Sequence, residues 1–308
     1  MSWTKPRALR PGDLLGVAAP SAAFDPALLA RGVAELESLG FRVRVPDGIH
    51  ERARFAAGTA ARRLAELAAL YEDDAVAGIV CARGGAGSIH LLPAFDPGLA
   101  QKHPKPLIGC SDLTFLHVVL NGLGLVTFHG PMAAGDIGRG TYDRDSFWRA
   151  VTGEGGPWAT DDDDLLVLRS GQGRGRLLGG CLSILASGFG TPWAFHPDRD
   201  GTILFLEDVG EPPYRIDRHL RQLRAAGAFE GLRGVVFGDM PGCAPPRDVS
   251  FTLEEVILDA LAGLDVPVAL GLSSGHVANG ALTLPLGVPA RLSCDGAARL
   301  ELLETGVR

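Results

Sequence analysis

KPLIGCSDLTFLHVVL, Lys105 to Leu120, is the stretch on which the fold turns. Its apolar run stops at Gly109, the small polar triplet Cys110-Ser111-Asp112 follows, and an apolar pattern of helical period starts at once. A strand that turns through Gly-x-Ser-x into a helix resembles a nucleophile elbow, where a tight turn lifts a hydroxyl into a cleft and aims the next backbone N–H at a substrate oxygen. Serine is also a preferred helix N-cap, so the same letters read as a capping residue. Cys110 is the better nucleophile when ionised, but it stands one place off the apex.

Working outward, strand-like and helix-like segments alternate. "LLGVAAP" is a short apolar run, and "DPALLARGVAELESLG" has Asp25 as N-cap, Pro26 at the first helical position and Gly40 as the stop. "FRVRV", the amphipathic "TAARRLAELAALYEDD", the buried run "AVAGIVCARGG" and "LVTFHGPM" continue the pattern. Such alternation predicts α/β architecture: a mostly parallel N-terminal sheet with flanking helices. From Gly153 to Gly175 the texture turns polar and glycine-rich around a brief "LLVL". We therefore read residues 1–152 as an N-terminal nucleophile domain, 153–175 as a linker and 176–308 as a smaller C-terminal α/β domain. Asp161 to Asp164 in that linker invite a cation-site reading. Consecutive carboxylates point in different directions, however, whereas hard cations need spaced oxygen ligands, so a solvated linker is the expectation.

Composition narrows the function. The 308 residues are 46% hydrophobic and 21% charged, with a net charge of -7, as in an ordinary soluble globular protein. No Lys/Arg cluster offers a stripe of phosphate contacts, which sets nucleic acid aside. No run approaches the roughly 18 apolar residues of a membrane span, and no apolar leader follows the basic start, so a cytoplasmic protein without a membrane partner is expected. The five cysteines are widely spaced with no CxxC pair; they read as reduced core thiols, not as disulfides or a metal site.

In open α/β sheets ligands bind beyond the carboxyl ends of the strands. The apolar runs end there on Ser111, on Glu207 after "TILFL" and on His276 after "VALGLSSG": a nucleophile candidate, a carboxylate and an imidazole. His129 in "FHGPM" competes with His276, and Glu207 could instead pair with Arg215 or Arg218 for structure alone. The glycines of "CARGGAGS", Cys81 to Ser88, follow a strand and precede a candidate helix. They would let backbone N–H groups approach a phosphate or an oxyanion, or simply make a tight turn.

Taken together, "GVAAPS", "ARGGAGSIHLLP", "KPLIGCSDLTFLH", "TFHGPM", "LGGCLSIL", "FLEDVGEPPYRIDRHLRQLR" and "GHVANGALTLPLG" resemble the LD-carboxypeptidases, a serine peptidase family that also contains microcin C self-immunity hydrolases. They run in the family's order from about Val17 to about Gly287. The resemblance implies a Ser-Glu-His triad of Ser111, Glu207 and His276, an oxyanion hole on the N–H groups of Gly85 and Asp112, no cofactor or metal, and a cytoplasmic homodimer. The implied substrate is a small peptide, a muropeptide tetrapeptide losing its terminal D-Ala. Arg83 is then the candidate clamp for the free carboxylate. The alternatives are a peptidyl or aminoacyl nucleotide as substrate, and, in another class, a non-catalytic small-ligand-binding module of the same fold. Three positions depart from the family's habit: Cys110 stands for an aromatic residue, Ala86 for Tyr and Cys181 for Asn.

Overall fold

Asp25 accepts the N–H of Ala27 at 2.9 Å and opens α1 (Pro26–Ser38), whose Leu29, Gly32 and Leu36 face inward. Gly40 beyond it takes φ +92, the left-handed conformation that ends a helix cheaply. Thr59 caps α2 (Ala60–Glu72) in the same way, accepting from Arg62 N–H. The computed structural model describes residues 3–160, 165–246 and 248–308. Asp161–Asp164, weighed above as a cation site, lie outside the described residues.

The first sheet takes β1 (Leu14–Ala18), β2 (Arg42–Arg44), β3 (Val76–Cys81), β4 (Leu107–Gly109) and β5 (Thr127–His129) in the order β2-β1-β3-β4-β5, all parallel. Its helices after α2 are α3 (Gly98–Lys102), α4 (Thr114–Gly122) and α5 (Arg144–Thr152). The chain order reverses between β1 and β3, the kind of switch point at whose carboxyl ends open α/β sheets bind ligands. The loops that leave these two strands meet there, Ala22 N–H donating to the Gly84 carbonyl at 3.2 Å.

A second sheet of eight strands follows. Its centre is the parallel set β8 (Gln172–Cys181), β9 (Thr202–Glu207), β10 (Leu232–Gly238) and β11 (Val268–Leu272), interleaved with α6 (Leu182–Gly188), α7 (Pro213–Ala225) and α8 (Leu253–Ala260). Antiparallel strands close both edges: β13 (Pro289–Ser293), β14 (Arg299–Leu302) and β6 (Trp158–Ala159) beside β8, and β7 (Leu166–Arg169) beside β11.

Two features differ from the expected division. The stretch 153–175 supplies β6, β7 and the start of β8, because "LLVL" and the residues around it complete edges of the second sheet. From deep in the C-terminal half, β12 (Leu284–Leu286) returns to pair antiparallel with β5. One buried cluster accordingly joins Val17, Ile108 and Phe128 of the first sheet to Ile203, Phe205 and Val236 of the second. Close packing of this kind transmits position from one sheet to the other. Among the described residues no helix is long and apolar enough to cross a membrane.

Candidate active site

Ser111 follows the last residue of β4 by two positions, and its backbone sits at φ +62. A serine held in the left-handed region is strained, and such strain persists only where surrounding contacts enforce it. Here they come from Asp112. Its buried carboxylate accepts the Ser21 hydroxyl and, at 2.8 Å, the Ser88 N–H, while the Ser88 hydroxyl donates to the Asp112 carbonyl at 2.6 Å. The loops after β1 and β3 are thereby pinned to the turn after β4. No side chain caps either the 3₁₀ turn Ser111–Leu113 or α4 behind it. Of the two readings of Ser111, capping is not the one the turn adopts.

The glycine turn packs directly against this serine. A Cβ on Gly84 would stand 2.8 Å from Ser111 Cβ and 3.1 Å from its Oγ, so the peptide leading into Gly85 runs beside the hydroxyl. Gly85 itself takes φ +99. Beyond the turn the chain makes one 3₁₀ turn, Ser88–His90, in place of the helix anticipated there. Gly84 lies outside the left-handed region, so alanine at this position probes space alone. We expect Gly84→Ala to lower kcat about 100-fold by displacing the hydroxyl, with circular dichroism unchanged. Full activity in that variant would show that the contact does not position Ser111.

From Ser111 the contacts lead to the second sheet. Thr114 Oγ1, one helical turn on, accepts the Cys181 N–H at 3.0 Å, and Cys181 is the β8 register partner of Glu207 in β9. Glu207 is 1% exposed, and its Oε2 lies 2.6 Å from His276 Nδ1 and accepts the His276 N–H at 3.1 Å. His276 is 26% exposed, so its ring spans from the buried carboxylate to the cleft. With Nδ1 engaged, Nε2 is the nitrogen left to accept a proton. Gly275 makes room for this: at φ +89, a Cβ there would fall 2.5 Å from Glu207 Cδ. The arginine alternatives have other engagements, Arg215 with Glu211 at 2.9 Å and Arg218 over the Tyr214 ring.

Electrostatics separates the rival groups. Burial acts to lower the pKa of His276, but the Glu207 hydrogen bond and the charges of Glu207, Asp208 and Asp136 outweigh it and leave a net rise. His129, the competing imidazole, is fully buried, and burial with the nearby His276 holds it down to about 3. Burial, then Asp136 and Glu207, push the Cys110 thiol well up, so it stays protonated and a poor nucleophile. Cys181 is raised for the same first reason, its Sγ 3.7 Å from Asp208. Arg83 is exposed on the rim beside the glycine turn, with Nη1 donating to the Ala23 carbonyl at 2.8 Å. Among the described residues no group of three or more His, Cys, Asp or Glu is arranged to hold a metal ion.

A serine hydroxyl, an imidazole and a carboxylate are together the groups that acyl transfer needs. The family model of the LD-carboxypeptidase N-terminal domain matches residues 15–130, and that of the C-terminal domain residues 174–292. A probable murein peptide carboxypeptidase of Bacillus subtilis is 36% identical, over 98% of this chain and 95% of its own. The murein tetrapeptide carboxypeptidase of Pseudomonas aeruginosa is 33% identical, over 84% of this chain and 86% of its own. The solved wild-type microcin self-immunity protein MccF aligns with a TM-score of 0.88 over 99% of this chain and 100% of its own, at 24% identity, a likeness of fold. These relatives define the class, a serine-type carboxypeptidase. The chain belongs to the LD-carboxypeptidase family.

Proposed function

We propose that this protein removes the terminal D-Ala from murein tetrapeptides by acyl transfer, with Ser111, His276 and Glu207 as its triad. The observation that carries the reading is the 2.6 Å contact of His276 Nδ1 with buried Glu207, made at the strand end whose neighbour docks the Ser111 turn. In this mechanism Ser111 Oγ attacks the scissile carbonyl as His276 Nε2 takes its proton. Glu207 holds the ring in the Nδ1–H tautomer and stabilises the imidazolium. His276 then passes the proton to the nitrogen of the leaving D-Ala, and a water activated by the same ring releases the acyl group. The N–H groups of Gly85 and Asp112 receive the oxyanion, each donor worth about 3 kcal/mol of barrier. Arg83, with guanidinium N–H groups to spare on the rim, is the clamp proposed for the substrate carboxylate.

The names of the Bacillus and Pseudomonas relatives support the murein substrate. A cytoplasmic site of action belongs to the proposal and is supported by five buried cysteines with no disulfide; the homodimer belongs to it through the family resemblance. The assay offers purified protein a murein tetrapeptide, its all-L isomer and an aminoacyl-sulfamoyl adenosine side by side. Release of D-Ala from the first alone is expected. Cleavage of the adenylate analogue alone would move the protein to the immunity-type substrate, and turnover of none would favour a binding module.

A further inference from the structure

Behind the Glu207–His276 pair stand two imidazoles that the proposed mechanism leaves unused. His129 closes β5, between Gly109 of β4 and Leu284 of β12, and its side chain is fully buried. Its Nε2 lies 3.9 Å from Glu207 Oε1, the oxygen opposite the one that holds His276. Neither nitrogen of His129 nor Glu207 Oε1 has a hydrogen-bond partner among the described residues. Leaving a buried polar atom unpaired is costly, and here two of them face each other. The neighbouring groups constrain the choice. His117 Nε2 lies 2.8 Å from the Gly109 carbonyl, which can only accept, so His117 carries its hydrogen on Nε2. Phe205 meets the His129 ring edge-on at 5.0 Å and offers no polar atom. Buried beside His276, His129 is neutral, so only one of its nitrogens is a donor.

We propose that His129 is a positioning residue for Glu207: as the neutral Nε2–H tautomer it donates to Oε1 and fixes the carboxylate so that Oε2 stays on His276. The inference rests on the triad reading above. The resting separation exceeds a hydrogen bond, and contacts of this kind tighten when substrate fills the site. A donor on Oε1 stabilises ionised Glu207 most when His276 is neutral, because an imidazolium already shares the charge. Removing the donor therefore raises the pH at which the pair takes up a proton. The other titratable groups facing the pair are Asp208 next in chain, Asp136 after β5, and the thiols of Cys110 and Cys181. All are retained in the variants that follow.

The test combines kinetics with ¹⁵N NMR of the histidine-labelled full chain, using His129→Gln for assignment. In the unaltered protein His129 should be the Nε2–H tautomer and should not titrate from about pH 5 to 9; an Nδ1–H tautomer overturns the proposal. His129→Phe, which keeps volume and removes the donor, should lose about tenfold in kcat, the worth of one hydrogen bond. KM should change little, and the acid limb of kcat/KM should rise by about half a unit. His129→Gln, whose amide N–H reaches the same place, should recover both. A folded Phe variant with the parental limb and kcat overturns the positioning role, and if that variant does not fold the tautomer decides. Glu207→Gln separates the two levels: full activity there sinks the triad itself, whereas an inactive Glu207→Gln beside an unaffected His129→Phe sinks only the inference about His129.

Discussion

Ser111→Ala should reduce kcat by about 10⁴-fold or more, while Cys110→Ala keeps most of the activity. The contrast matters because the two residues are adjacent and the thiol is intrinsically the stronger nucleophile. Geometry and ionisation decide against it. Ser111 holds the positive φ at the apex, at +62, whereas Cys110 is extended at φ -143, its side chain buried. Burial keeps its thiol protonated, aided by the negative charges of Asp136 and Glu207. The check pairs steady-state turnover of murein tetrapeptide with mass analysis after an active-site serine reagent. An adduct confined to Ser111 is expected. Loss of activity on Cys110→Ala, together with inactivation of the parent by iodoacetamide, would reverse the assignment.

The apex, the carboxylate and the imidazole were legible in sequence because each sits where an apolar run stops, and in a parallel sheet those stops are the carboxyl ends. Helix α1 was legible to within a residue because Asp25, Pro26 and Gly40 act through local backbone chemistry. The run "ALTLPLG" reads as strand-like and holds β12, but nothing in Leu284 to Leu286 names β5 as the partner, and their place beside it is decided by tertiary packing. The strands within 153–175 were hidden for a related reason, since edge strands bury little and need few apolar residues. The contacts that shape the site were least visible. Ser21 meets Asp112 across 91 positions, and Gly275 exists as glycine because of Glu207, 68 residues earlier by their numbering. His129 stood out only as a rival base; its position behind Glu207 required both sheets to be in place.

Glu207→Gln should cost about as much as loss of the nucleophile, roughly 10⁴-fold in kcat, although it replaces one oxygen by an NH₂ group and changes almost no volume. The carboxylate only accepts, so His276 must carry its hydrogen on Nδ1 and present a lone pair at Nε2. An amide can rotate its NH₂ toward Nδ1, which selects the opposite tautomer and leaves Nε2 protonated, unable to take the Ser111 proton. The substitution also removes the charge that raises the pKa of His276. Burial then lowers the pKa of the ring against only the charges of Asp208 and Asp136. With His276 as the proposed base, the parent needs that ring neutral, so kcat/KM should fall as pH falls through a limb lying above the ordinary histidine value. In Glu207→Gln the residual activity should show that limb displaced to lower pH. Glu207→Asp, which keeps the charge but withdraws it by one methylene, should retain the raised limb at reduced kcat. A pH profile that does not move on Glu207→Gln would mean that the 2.6 Å contact holds the loop in shape and takes no part in proton transfer.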